Sequence, residues 1–426
     1  MSLEVKSSQH QTDRLVLPNG ITLIVTENPA ADLIAGRWFF QDAGSLSEKR
    51  SHAGLVHLVA SVMTKGTRNL NALEIAEQIE SIGASLGADG STDYFGLSLK
   101  TVTADFVPML ELLAEIIRFP TFPVSEVELE RKITIQSIRS QKEQSFSVAF
   151  SQLRDSIYDH HPYGVSILGT EESVASLTSE DLQEFHQTYF RPDKLIISLA
   201  GNISTAKAQE LITSVFGDWE IPQEKNSATR SIPLTTQPTE ETIIQDTQQS
   251  IVMLGYKGVS INDPAYVVLK LISTYLGNGL SSRLFVELRE KRGLAYDVSA
   301  FFPTRLDIAP FVVYMGTAPT NTQIALEGLS SEVTRLSTTK LTDAELQNAK
   351  NKFLGQYALG KQTNGEIAQT YGWYEALGLG IDFDREFPEK IAQITAEQIQ
   401  QVAQTYLQNP YISIVKPEDI KLEQEV

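Results

Sequence analysis

The chain has no cysteine in 426 residues. That single absence excludes disulfide staples, zinc knuckles, iron–sulfur clusters and thiol nucleophiles. No stretch approaches 18 uninterrupted apolar residues, so no transmembrane helix is expected. The opening MSLEVKSSQHQTDRL has no apolar h-region, so no signal peptide is expected either. Zero cysteine suits a reducing cytoplasm or an exported chain that avoids thiols, so a cytoplasmic or stroma-like soluble compartment is expected and a periplasmic one stays compatible if a leader were trimmed. Basic residues are also short: 35 Lys and Arg face 53 Asp and Glu, a formal charge of −18. Such a surface repels nucleic acid and anionic membranes, and neither is expected as a partner. Histidine is scarce and lopsided. His10, His52, His57, His160, His161 and His186 all fall in the first half.

What is present is an ordinary globular composition, with 42% apolar and 21% charged residues. The length suits two or three domains with real cores. The chain is also doubled. TSEDLQEFHQTYF begins at Thr178 and TAEQIQQVAQTYL at Thr395, and the same offset sets SEVEL from Ser125 against TDAEL from Thr342. Two matches at one spacing near half the chain length indicate tandem duplication. Each opens with Ser or Thr followed by acidic residues, as a helix N-cap and the positive end of a helix dipole prefer.

The first half begins with the strand pair RLVLPNGITLIVTEN, turning at Asn19–Gly20. AGRWFFQDAG reads as a further strand, HAGLVHLVASVMT as a buried helix, and ALEIAEQIESIGA as a helix after Asn71. Strands follow around YFGLSLKTVT, then the amphipathic FVPMLELLAEIIR, a long helix across Glu126 to Tyr158, a helix from Thr178, the strand LIISLAGN and a helix through Phe216. The second half repeats this order from SIVMLGYKG to YISIVKP. The expected fold is α+β: two tandem homologous domains, each a mostly antiparallel sheet with helices packed on one face. The expected boundaries are an N-terminal domain 1–216, a polar proline-containing linker 217–239, and a C-terminal domain 240–426.

Zinc chemistry on a helix needs two ligands on one face, with a base beside them. Around His57 that face reads His57, Ala60, Ser61, and His52 is five residues away. AGLVHLVASVMTKGT nevertheless resembles the signature of the pitrilysin/insulinase-type metallopeptidases, close to G-x-x-H-x-x-E-H-x-x-x-K-G-T. Gly54, His57, Lys65, Gly66 and Thr67 stand in register, while the resemblance puts the catalytic glutamate at Ala60 and the second histidine ligand at Ser61. The family's third ligand, a glutamate in a helix like E-R-x-x-x-x-x-E, falls on Ser137. A catalytic zinc wants three protein ligands and a water, and one remains here. A methyl group accepts no proton, so the base is lost as well. The site formed by His57, Ala60, Ser61 and Ser137 is therefore expected to be degenerate, with no metal and no cofactor in this chain.

In the second half, LGNGLSSRLFVELREKRGLAYDVSAFF runs from Leu276 to Phe302. Gly277–Asn278–Gly279 reads as a turn, and Ser281 or Ser282 as the cap of a helix that ends before Gly293. Arg289 offers a fork of donors and Tyr296 one hydroxyl. This segment is similar to the family's second-domain stretch G-x-G-x-S-S-R-L-F-x-E-x-R-E-K-R-G-L-A-Y, in the small two-domain branch that includes the mitochondrial processing peptidases. HPYG at His161–Gly164 and the Glu130–Arg131 pair extend the likeness over essentially the whole chain. In that family an Arg–Tyr pair at this spacing binds substrate and steadies the oxyanion, and it carries over as Arg289 and Tyr296. The resemblance thus implies a non-catalytic subunit of a heterodimeric zinc endopeptidase acting on short or unfolded peptides. Its implied partner is a homologous zinc-bearing subunit with an intact H-x-x-E-H, and the isolated chain is compatible with a homodimer. The short glycine turn departs from the mitochondrial non-catalytic subunit and points to a bacterial or plastid-type partner. An inert scaffold or peptide-binding protein of the same fold is the alternative, and an active peptidase in its own right is the third.

Overall fold

The computed structural model of the protein describes residues 11–223 and 233–418, so His10 and linker residues 224–232 lie outside the described residues. Its chain divides into two compact units. The first contains strands β1 (Thr12–Val16), β2 (Thr22–Glu27), β3 (Leu33–Gln41), β4 (Ser85–Gly90), β5 (Tyr94–Val102) and β6 (Leu195–Gly201), in spatial order β1-β2-β6-β3-β5-β4. Only β2 and β6 pair in parallel. The second contains β7 (Glu240–Ile244), β8 (Ser250–Lys257), β9 (Asp297–Phe301), β10 (Pro310–Thr317) and β11 (Tyr411–Lys416), in the order β7-β11-β8-β10-β9, with β7 and β11 parallel. Two mostly antiparallel sheets with helices make the fold α+β, as expected.

Local chemistry sets many of the element ends. The β1–β2 hairpin closes with the Leu17 amide on the Ile21 carbonyl at 2.8 Å, and Gly20 takes φ 87°, where a side chain would be strained. Asn71, Thr178 and Thr395 each form a full capping box. Thr342 does the same with Glu345, its hydroxyl accepting from the Glu345 amide at 3.3 Å. Each such cap contributes about 1 kcal/mol. Ser125 does not cap: its helix is Val124–Glu143, so Ser125 already lies in the first turn, and Pro123 accepts the Glu126 and Val127 amides. Nor is Glu126 to Tyr158 one helix. Gln144 is extended (φ −91°, ψ 110°) and a separate helix covers Ser145–Tyr158. There the chain turns so that Phe146 and Phe150 can reach Tyr314 and Phe301 in the second sheet, at 4.9 and 5.5 Å between ring centroids.

The burial pattern explains that turn. Strand β3 reads LIAGRWFFQ and is buried at six of nine positions and exposed at none, whereas a sheet with one wet face would alternate. Phe40 points to one face, 4.4 Å from Phe190 and 6.3 Å from Trp219. Phe39 points to the other, against the helix Asn364–Ala376, where a Cβ on Gly372 would meet the Phe39 ring at 2.4 Å. Burying a phenylalanine in this way contributes about 2–3 kcal/mol. The second sheet is built alike: a Cβ on Gly255 of β8 would lie 2.9 Å from Leu153 and Ile157 of the helix Ser145–Tyr158. On its opposite face Gly277 packs directly against Ala300.

The compact units are therefore not the contiguous stretches 1–216 and 240–426. Residues 136–166 belong with the second unit and 358–384 with the first. The two moved helices, Ser145–Tyr158 and Asn364–Ala376, occupy matching places in the duplicated sequence. The helices are also not confined to one face. Each sheet has a second apolar face, and a helix drawn from the other half of the sequence covers it.

This packing makes opposite forecasts for two helical glycines. Gly355 has open space around its Cβ position, so Gly355→Ala should raise unfolding stability by about 0.5–1 kcal/mol. Gly372→Ala should instead lower it by about 1–3 kcal/mol, because the methyl group must displace Phe39. Thermal unfolding of both variants checks this, and a stabilised Gly372→Ala would contradict the packing.

Candidate functional site

His57 lies on the helix Leu55–Val62, whose start is built from a remote carboxylate rather than a local cap. Gly54 occupies the N-cap at φ 95°, and Glu48 accepts from the Gly54 amide at 3.2 Å and from the Val56 amide. Two orphan donors are thereby satisfied by one side chain. Burial pushes the Glu48 carboxyl up to about 8, against those two amide hydrogen bonds, which pull it down. Val56 presses on the end of β4, where a Cβ on Gly90 would lie 2.8 Å from Val56 Cγ1. This contact brings the His57 helix to the strand that carries Asp89.

Strand register completes the neighbourhood. Asp89 of β4 and Phe39 of β3 both pair with Gly96 of β5, so Asp89, Phe39 and Arg37 share one face of the sheet. From the helix on that face, Gln369 Oε1 accepts from Arg37 Nε at 2.8 Å. Burial holds the half-buried His57 below its ordinary range, and the Asp89 charge partly offsets that. Burial raises Asp89, opposed by Arg37 and His57, and burial lowers Arg37. An arginine, an aspartate and a neutral imidazole thus stand near one another.

The expected zinc donors give a different picture. Ala60 is buried and offers nothing, and the Ser61 hydroxyl donates to the His57 carbonyl of its own helix at 3.0 Å. Ser137 is exposed on the helix Val124–Glu143, in the stretch belonging to the second unit. The first unit therefore brings together His57, Ala60 and Ser61 but not Ser137. Of the other described histidines, His52 is half-buried, and the remaining three are bonded or exposed. His186 is a core residue, its Nε2 2.7 Å from the Ile117 carbonyl, with burial pushing it down to about 4. His161 accepts from the Tyr163 amide at 3.1 Å and sits 3.2 Å from Asp307. His160 is exposed, 3.7 Å from Asp159. Among the described residues no group of three or more His, Asp or Glu could hold a metal ion. A zinc ion does not fit this donor set.

In the second unit, Arg289 lies in the helical turn Phe285–Glu290, which is wound as a π-helix. Its Nη1 donates to the Tyr296 carbonyl at 2.6 Å, and its guanidinium stands 5.0 Å from the Phe285 ring centroid. Gly293 turns the chain at φ 62° in open space. Tyr296 is anchored by its amide on the Gly316 carbonyl at 2.8 Å, while the residue as a whole is 61% exposed. Neighbouring charges serve the scaffold: Arg283 pairs with Glu332 at 2.7 Å and Glu287 at 3.0 Å, and Lys291 with Glu287 at 2.9 Å. Arg289 is different, since it is paired with a carbonyl and keeps donors to spare. Of the two expected serine caps, the buried Ser282 Oγ has no hydrogen-bond partner and the Ser281 hydroxyl accepts from Lys352 at 3.3 Å.

Two family models match successive stretches of the chain. The sequence model described as Insulinase (Peptidase family M16) matches residues 23–171, and the one described as Peptidase M16 inactive domain matches residues 176–353. The chain belongs to the insulinase-type, or M16, peptidase family. Similar proteins include the uncharacterized zinc protease YmxG of Bacillus subtilis (strain 168), 27% identical over 95% of this chain and 98% of the relative. In fold it is similar to a peptidase M16 inactive domain from Pseudomonas fluorescens, with a TM-score of 0.88, 24% identity, and 96% and 98% of the two chains covered. A protease from Helicobacter pylori matches with a TM-score of 0.89 at 21% identity, covering 96% and 99%. The word inactive belongs to the description that matches residues 176–353; the reading of the first half rests on Ala60, Ser61 and Ser137 themselves. Among the described residues no helix is long and apolar enough to cross a membrane.

Arg37, Asp89, Glu48 and Gln369 were not singled out from the sequence. A charge inside the apolar run GRWFF was the one available signal, for Arg37. The others require strand register and the exchanged helix.

The Glu48 arrangement fixes the sign of a pH effect. With a folded pKa near 8 against an ordinary 4.5, the folded chain keeps a proton that the unfolded chain has released. This contribution is fully present below about pH 4.5 and is lost as pH rises through about 8. Glu48→Gln, which cannot titrate, should flatten the decline in melting temperature between those limits relative to the parent. An identical slope in both proteins would contradict the assignment.

Proposed function

We propose that this chain is the non-catalytic subunit of a two-chain zinc endopeptidase, lending Arg289 and Tyr296 to a homologous zinc-bearing partner that cleaves short or unfolded peptides. The observation that carries the reading is the contrast between the two units. The first has one potential ligand, His57, with Ala60 and Ser61 in place of base and second ligand. The second keeps Arg289 exposed beside Tyr296, bonded only to a backbone carbonyl and set over one aromatic ring. A guanidinium with donors to spare and a solvent-facing phenol are the groups that grip a peptide carbonyl as it gathers negative charge. The zinc-bearing partner supplies the activated water, and nothing in this chain is asked to do so.

The names of the relatives support a peptidase context, since they are called zinc proteases. They do not by themselves say that this chain cleaves anything. The acidic surface, with 53 carboxylates against 35 basic groups, suits basic or neutral peptides.

Mixing the purified chain with a metal-bearing homologue should raise peptide cleavage well above that of either alone. Tyr296→Phe should remove most of that gain, about 100-fold, the usual cost of one oxyanion donor. Arg289→Lys, which keeps the charge but loses the fork, should cost at least about tenfold. Circular dichroism should show both variants folded. No gain on mixing, or a gain indifferent to both substitutions, would overturn the proposal in favour of an inert scaffold.

A further inference from the structure

The second unit contains a cavity of about 580 Å3 that the reading above does not use. It lies at both ends of the Leu276–Phe302 segment, where Gly277–Gly279 and Ser299–Phe302 meet the helix Asp343–Leu359. Its volume is that of a small-molecule site, within the usual range of about 300–1,000 Å3. Aromatic rings wall it: Phe302, Phe353 and Tyr357 all line it, the last two stacked at 6.4 Å between centroids. At the mouth Asn278 and Gln356 bond each other through their amides, at 2.6 and 3.2 Å.

The charge of the lining is unusual for this molecule. The chain carries 53 acidic side chains against 35 basic ones, yet none of the residues around the cavity is acidic and one is a lysine. Lys270 Nζ donates to the Phe302 carbonyl at 2.8 Å, which leaves two of its three N–H donors. It lies 5.5 and 5.7 Å from the Tyr266 and Phe302 ring centroids, a cation held among aromatics without a carboxylate. A second ammonium, Lys352, donates to Ser281 at 3.3 Å beside Gly279. Burial, assisted by Arg305, pushes Lys270 down to about 8, and an unpaired ammonium in such a place gains from a carboxylate counterpart.

We infer that this cavity binds a small apolar or aromatic carboxylate, its ring between Phe302, Phe353 and Tyr357 and its carboxylate on Lys270. Two sources share that chemistry: a free aromatic acid, and the C-terminal carboxylate of a peptide ending in an aromatic residue. The inference does not depend on the proposed subunit role, since it concerns binding to this chain alone.

The test uses the full chain and calorimetric or ligand-detected magnetic-resonance titration with 3-phenylpropionate, its neutral amide, and a tripeptide ending in phenylalanine with a free or amidated C-terminus. The expected result is saturable binding of at least one carboxylate probe, at least about tenfold tighter than its neutral counterpart. Lys270→Met should weaken it by a similar factor. Because Lys270 also bonds the Phe302 carbonyl, Gln356→Trp serves as the second variant: Gln356 is exposed at the mouth, and the indole should block entry while the fold stays intact. Binding of the tripeptide alone would assign the site to chain ends, and binding of the free acid alone to metabolite-sized acids. Equal affinity for acid and amide, no saturation by either carboxylate probe at 10 mM (about 2.7 kcal/mol of affinity), or indifference to both substitutions would overturn the inference.

Discussion

An apolar sheet face cannot be left in water, and in this protein each sheet has two of them. That constraint organises the rest. Phe39 and Phe40 are neighbours in sequence and point to opposite sides of β3, and both are essentially inaccessible to solvent. One side is closed by residues of the same half, among them Phe190, which directly follows the helix Ser179–Tyr189. The other is closed by Asn364–Ala376, in which glycine at 372 lets the backbone come down onto the Phe39 ring. The second unit repeats the solution with the glycine on the strand instead, Gly255 under Leu153 and Ile157. Duplication supplied two copies of the helix, and each copy closes the sheet of the unit to which it does not belong in sequence.

The candidate site in the first unit inherits its shape from this arrangement. Gln369, on the exchanged helix, holds Arg37 on the face that Arg37 shares with Asp89. The helix bearing His57 is fixed at its start by Glu48 and against the sheet edge by Val56 on Gly90. The helix that carries His57 is therefore held firmly, down to its cap, while among its own residues only His57 is a potential metal donor. A methyl group and a hydroxyl already bonded to its own helix replace the base and a ligand. Stability and chemistry have separated: the residues that hold the helix remain, and those that would hold the ion do not.

Much of this was legible in the sequence where the signal was local. The Asn19–Gly20 turn, the capping boxes at Asn71, Thr178 and Thr395, and the apolar runs of β3 and β6 follow from short-range chemistry. Helix spacing likewise sets Ala60 and Ser61 on one face with His57, while the roles expected at those positions come from the resemblance to the family. The exchange of helices was not legible. The helical pattern of Ser145–Tyr158 says that it has an apolar face, not which sheet receives it, and the break at Gln144 carries no Gly or Pro. Ser125 misled for a related reason: the capping pattern matched, but the helix had already started at Val124, directly after Pro123. Arg37 and Asp89, 52 residues apart in sequence, meet on one face only through the register of β3, β5 and β4.

The central claim is that this chain keeps the frame of a metallopeptidase without the means to hold its metal. Elemental analysis of zinc, after dialysis against micromolar zinc and then metal-free buffer, tests it most directly. The account predicts well below about 0.1 zinc per isolated chain, since a lone imidazole binds too weakly to survive dialysis. One zinc per isolated chain, lost in His57→Ala, would contradict it.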